Sequence, residues 1–183
     1  MRKKVISVLA SGLLVTLSSC AREDSQPPST PPAELSAAIL RSAAYSSQYV
    51  EEGEVRLVDG IFEDTARRVI VFFLPEYAVG DLDGDGVADA AVLLSTSTGG
   101  SGTFQDLAVV LNNAGTPSNE ATVFLGDRVP VDRIRIVDGE IQLDLTMHGP
   151  ADPMCCPSVE ATRRFRLVEG ELVEIEPPAS VLD

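Results

Sequence analysis

Four aspartates fall within nine residues of this chain, at Asp81, Asp83, Asp85 and Asp89, with Gly84 and Gly86 between them. Together with the backbone carbonyl of Val87 they reproduce the oxygen-donor spacing of a calcium loop at positions 1, 3, 5, 7 and 9. The glycines let the backbone turn sharply enough to bring the carboxylates together. Like charges this close raise one another's pKa or loosen the loop, and a divalent cation removes that penalty. An Asp/Gly turn without metal is the plainer alternative, since both residues favour turns. The calcium reading is preferred here. An EF-hand would need a bidentate Glu at position 12, where this chain has Val92, so neither an EF-hand nor an exiting helix is expected. Bound calcium would brace the fold, with an affinity in the weak extracellular range.

A second group lies in Met147-His-Gly-Pro-Ala-Asp-Pro-Met-Cys-Cys-Pro157, which contains the chain's one histidine, His148, along with Met154, Cys155 and Cys156. Adjacent cysteines can bridge each other, stay reduced or bind a metal together. A vicinal bridge is strained, because neighbouring Cα atoms lie about 3.8 Å apart, below the usual disulfide range. Its structural role would be to lock a Pro-flanked loop. Two thiolates, a thioether and an imidazole would instead suit Cu(I), but that chemistry needs the reduced pair. The structural bridge is preferred to copper. Zinc ranks lower, because a structural site takes four ligands and only Cys155, Cys156 and His148 are evident.

Catalytic patterns are weak. A Ser-His-Asp triad would have to use His148, and Ser101 sits in Gly-Gly-Ser-Gly, which is neither G-x-S-x-G nor a P-loop. No carboxylate pair stands out for glycoside hydrolysis, and an aromatic sugar platform is missing, with no Trp in the chain. A non-enzymatic protein is expected, with a hydrolase as the least favoured reading.

The elements that must hold these residues are mostly strands. Leu35, Ala38, Ile39 and Ser42 follow helical spacing and predict one short helix within Ala33 to Tyr45. Val55 and Leu57 alternate with Glu54 and Arg56 up to Asp59-Gly60. Val69 to Leu74, Ala90 to Leu94 and Leu107 to Leu111 are continuous apolar runs, expected to be buried on both faces. Ser95 to Gly102 is expected to be a flexible connection, Asn112 to Gly115 a turn, and Thr122 to Leu125 a strand. Asp138-Gly139 between Ile134/Ile136 and Ile141/Leu143/Leu145 is the strongest hairpin signal. Glu169-Gly170 marks a last hairpin. The fold class is therefore α+β, mostly antiparallel β, as a curved sheet, sandwich or partial barrel with one short N-terminal helix. No long crossover suggests a parallel sheet.

The start of the chain speaks to location. Met1-Arg-Lys-Lys4 precedes an apolar run from Val5 to Leu17, which has the length of a signal h-region rather than a membrane span. Leu17-Ser18-Ser19-Cys20 resembles a lipobox, which implies cleavage before Cys20 and acylation there. Several acyl chains, palmitate among them, would hold the protein stably to a membrane. Ala21 after the cysteine favours the outer membrane, on its periplasmic face or surface, in a Gram-negative cell. Residues 1–19 are thus read as signal peptide, 20–32 as lipidated cysteine and Pro-rich tether, and 33–183 as one mostly-β domain. Cleavage would remove three of the fourteen basic residues and no acid, leaving eleven against twenty-eight, a net charge of −17. Such a domain repels phosphates and excludes a nucleic-acid partner.

Two further resemblances follow from these residues. The Asp81–Asp89 loop resembles the calcium loops of FG-GAP propeller blades, but it occurs once, which excludes a propeller. The segments GDLDGDGVADAAVLL, GGSGTFQDLAVVLNNAG, ATVFLGDRV and MHGPADPMCCP resemble a family of bacterial secreted and lipoprotein domains of uncharacterised activity, across roughly Glu51 to Leu167. The resemblance implies export and a compact domain, and it brings no activity. The expected function is a membrane-anchored cell-envelope lipoprotein whose calcium-stabilised domain binds an envelope protein or ligand, or supports envelope structure. The alternative is copper or redox handling by His148, Met154, Cys155 and Cys156.

Overall fold

The computed structural model describes residues 34–175, all of them in the second of two units into which the chain divides after Pro31. The expected signal peptide, Cys20 and the whole tether lie outside the described residues.

Ser36 starts the only helix among the described residues, α1 (Ala37–Leu40), by accepting a hydrogen bond on Oγ from the Ile39 N–H. The helix expected within Ala33 to Tyr45 is shortened to these four residues. The reason is tertiary. Ala44 to Ser46 form β1, which pairs with β2 (Glu54–Arg56), and Tyr45 is fully buried there with its hydroxyl donating to the Leu40 carbonyl at 2.7 Å. No helix among the described residues is long and apolar enough to cross a membrane.

The remaining strands form two up-and-down antiparallel meanders. The first comprises β3 (Ile61–Asp64), β4 (Val69–Gly80), β5 (Asp89–Ser97), β6 (Phe104–Asn113) and β7 (Thr116–Asp127). The second comprises β8 (Val131–Val137), β9 (Glu140–Met147), β10 (Val159–Val168) and β11 (Glu171–Ile175). Mostly antiparallel β structure with one tiny helix is therefore the fold. The turns explain the connectivity. Asp59-Gly60, Ala114-Gly115, Asp138-Gly139 and Glu169-Gly170 all have positive φ at both residues, the type I′ geometry whose twist matches paired strands.

The five-stranded sheet is the middle layer. Ala90, Val92 and Leu94 of β5, with Ala108 and Val110 of β6, face a core closed by Leu40, Tyr45, Val55 and Leu57. Ala91, Leu93, Leu107 and Val109 face the opposite way, onto Ile141, Leu143, Leu145 and Phe165 of the second meander. This accounts for the continuous apolar runs in an antiparallel sheet, because β5 and β6 are covered on both sides. Val69 to Leu74 behaves differently from expectation. It alternates, with Val69, Val71 and Phe73 buried and Phe72 exposed, because β4 has cover on one face there. Ser95 to Ser97, expected in a flexible connection, continue β5 and pair with β4, and Ser95 and Thr96 pair with β6 as well.

Two irregularities shape the central sheet. Pro75, which has no N–H to give a ladder, sits where β4 shifts register between Phe73 and Tyr77, beyond the last residue that β3 pairs. At its end β4 runs close against β8, so that a Cβ on Gly80 would come 2.7 Å from Ile136 Cγ2. On the other side the Arg163 guanidinium of β10 donates to the Leu125 carbonyl of β7 at 3.1 Å.

Candidate functional site

The aspartate loop is the connection between β4 and β5, and its last ligand-type residue, Asp89, is the first residue of β5. Asp89 is 2% exposed, and both its oxygens are used. Oδ2 accepts the Leu82 N–H at 2.9 Å and Oδ1 accepts the Asn112 N–H of β6 at 3.0 Å. Leu82 is itself buried in the core against the second meander, which pins the loop from inside. Asp81 accepts the N–H groups of Gly84 (2.7 Å) and Gly86 (3.0 Å), both glycines having positive φ. Asp83 accepts from the Asp85 N–H at 3.0 Å, and Asp85 from the Val87 N–H at 2.7 Å.

Carboxylate oxygens of Asp81, Asp83 and Asp89 all lie within 4.8 Å of one another. Asp85 stands outside that group of three. The donor set suits a hard cation, since each carboxylate oxygen carries two lone pairs and a backbone N–H takes only one. The electrostatics point the same way. Burial, followed by the charges of Asp83 and Asp85, pushes the Asp89 carboxyl above its usual range, and the N–H bonds from Leu82 and Asn112 oppose this only in part. A divalent cation among Asp81, Asp83 and Asp89 would reverse that balance, with Asp85 and the Val87 carbonyl available to extend the shell. Beside the loop lies an open cleft of about 620 Å³, lined by Asp81, Asp83, Asp138 and Arg166 among others.

Sequence reasoning missed Asn112, reading it as part of a turn. It is buried, and its side-chain amide also donates to the Ala88 carbonyl at 3.2 Å. The available signal was a polar residue closing an apolar strand, which does not say that it reaches across to a neighbouring loop.

The second constellation follows β9. Cys155 and Cys156 are joined by a disulfide with Cα atoms 3.8 Å apart, and both residues are exposed. Asp152 organises the loop, accepting the N–H groups of Gly149 and Ser158, each at 2.8 Å, and the Ser158 hydroxyl. The Gly149 N–H and then Ser158 hold its carboxyl below the usual range. Met154 is 71% exposed, whereas His148 Nε2 is buried with no hydrogen-bond partner among the described residues. The Arg128 guanidinium ties this loop to the Gly-Gly-Ser-Gly segment. It donates to the Met154 carbonyl at 2.9 Å and to the Ser101 carbonyl.

The two constellations occupy opposite ends of the sheets. Asp89 opens β5 while the Gly-Gly-Ser-Gly segment follows its other end, and Gly139 near Asp81 precedes β9 while His148 follows it. The length of β5 alone separates them by about 30 Å. Cys20 lies outside the described residues. Comparison with known proteins finds no matching family model, no matching curated protein and no matching solved structure.

Proposed function

We propose that this chain is a membrane-anchored cell-envelope lipoprotein whose domain is braced by calcium and serves as a binding or structural module rather than an enzyme. The observation that carries the calcium reading is the convergence of Asp81, Asp83 and Asp89 to within 4.8 Å in a loop of calcium-type spacing. The anchor reading rests on the lipobox-like Leu17-Ser18-Ser19-Cys20 and the Pro-rich stretch after it. The resemblance to bacterial secreted and lipoprotein domains belongs to the same proposal.

The decisive experiment is a thermal melt of the purified full-length chain in EDTA, in millimolar calcium and in millimolar magnesium. At an extracellular-type Kd of about 0.1–1 mM, calcium at about 10 mM stabilises by roughly 1.4–2.7 kcal/mol, a shift on the order of 5 °C for a domain of this size. The calcium shift is expected to disappear in Asp83→Ala. An unchanged melting temperature in calcium would reduce the loop to a turn.

A second reading, copper or redox handling, rests on the exposure of Cys155 and Cys156, which leaves their bond open to a reductant. Two electrons and two protons from a thiol reductant would open it to a dithiol, and only that form offers thiolates to Cu(I) with Met154 and His148. Mass measurement of free thiols in protein taken from copper-replete cells decides the matter. A fully oxidised pair there counts against copper handling.

A further inference from the structure

We propose that the cavity beneath the β1–β2 hairpin is a binding site for a small organic cation bearing a primary ammonium group, with Asp106 as its counter-charge. The site is separate from the calcium loop and does not depend on it. Three acidic side chains are buried among the described residues: Asp89, Glu140 and Asp106. Asp89 is held by two backbone N–H groups and Glu140 by the guanidinium groups of Arg164 and Arg166. Asp106 is 7% exposed, and no donor among the described residues reaches its carboxylate. Its oxygens are not sealed in protein but open to the cavity, so the fold retains a charge that it does not itself satisfy.

That carboxylate has somewhere to point. Asp106 lines a cavity of about 440 Å³ together with Ser46, Ser47, Gln48, Thr122 and Phe124. Its volume falls in the small-ligand range. The backbone is shaped around it. Between Gln105 and Asp106 the β6–β7 pairing shifts register at Leu125, setting Phe124 directly opposite Asp106. A bulge of this kind re-aims side chains. Phe124 is 45% exposed and backed by Phe104 at 6.3 Å, which in turn stacks on Tyr49 at 5.4 Å. The roof is fixed to the floor, because the Ser46 N–H donates to the Asn119 side chain of β7 at 2.8 Å.

The lining selects the ligand. An ammonium group carries three N–H donors. Asp106 takes one with its charge, the hydroxyls of Ser46, Ser47 and Thr122 offer acceptors for the others, and the Phe124 ring gives an apolar and cation-attracting wall. A hard metal ion would find a single carboxylate, too few donors for its shell. An anion would meet Asp106 with like charge. Burial pushes the Asp106 carboxyl up to about 6, so it is charged near neutral pH.

The test is a titration of the purified full-length chain with n-butylammonium, followed by backbone amide NMR, beside a parallel titration with the neutral analogue 1-pentanol. Saturable shifts at Asp106, Thr122 and Phe124 are expected with the cation, and at least about tenfold weaker binding in Asp106→Asn, which removes the charge-assisted hydrogen bond. The proposal is overturned by an absence of saturable shifts with n-butylammonium, by equal binding of 1-pentanol, or by unchanged affinity in a folded Asp106→Asn. Should that variant not fold, the contrast between cation and alcohol on the native chain decides alone.

Discussion

At Asp106 a single side chain sets stability against charge. Its folded pKa, about 6, lies above the unfolded value, so the native state binds more protons between the two. Stability contributed by the neutral carboxyl is present below the unfolded pKa and is lost as pH rises through about 6. Asp106→Asn should therefore melt higher than the native chain at pH 7, by about 2 kcal/mol after allowing for solvent near the cavity, and that advantage should vanish by about pH 4. Tyr49, which burial and then the Asp106 charge push up to about 12, stays neutral throughout, and nearby Asp127 is paired with Arg128, so the difference between the two chains isolates Asp106. Calorimetry across that pH range checks it; equal melting at pH 7 would contradict the buried, unpartnered carboxylate. Asp106 could not be read from sequence, since an acid between Gln105 and Leu107 at the start of an apolar run looks like any strand-end charge. Asp81, Asp83 and Asp89 could be, because loop spacing alone brings them together. Asp85 could not be separated from them, because spacing alone does not say which carboxylates of the loop converge.

Among the elements, the passage of β4 against β8 is the tightest contact with a simple test. Gly80→Ala drives a methyl group into Ile136, and overpacking of this kind costs about 1–3 kcal/mol. Replacing Ile136 by Val as well should return part of that loss, so denaturant melts of the two single variants and the double variant should show a non-additive cycle. Strict additivity would mean that the strands do not meet there. The hairpins on either side were legible beforehand because an X-Gly pair at a two-residue turn fixes register by itself. Asp138-Gly139 and Glu169-Gly170 stand where alternation placed them. The full lengths of β4 and β7 were not legible. Their outer halves carry Pro75, Pro117 and Asn119, which weaken any local strand signal, and it is pairing with β5 and β6 that extends them. The helix failed for the converse reason: Ala and Ile at helical spacing lost to the burial of Tyr45.

On the scale of the whole molecule, the two constellations should behave as independent ends. Reducing Cys155–Cys156 is expected to raise amide exchange in residues 148–158 and 98–103, which Arg128 joins, while leaving the calcium-induced melting shift unchanged. A calcium shift that fell on reduction would reveal coupling along the strands. The layering could not be deduced from the sequence, because a two-sided apolar strand says that something covers each face without saying what. In the structure the first face is covered by segments preceding β5 and the second by segments following β7. This order has a kinetic meaning. Within each meander every strand pairs with its sequence neighbour, so each ladder closes over short loops and should form quickly. A chain emerging from its N-terminal end can complete α1 through β7 while Leu93, Leu107 and Val109 still face water. Until β9 and β10 arrive, that half-finished intermediate presents a bare aliphatic sheet face, the kind of surface on which chains stick to one another. The last third of the sequence therefore acts as a built-in cover, and a chain cut short after Asp127 should aggregate even with its first core complete.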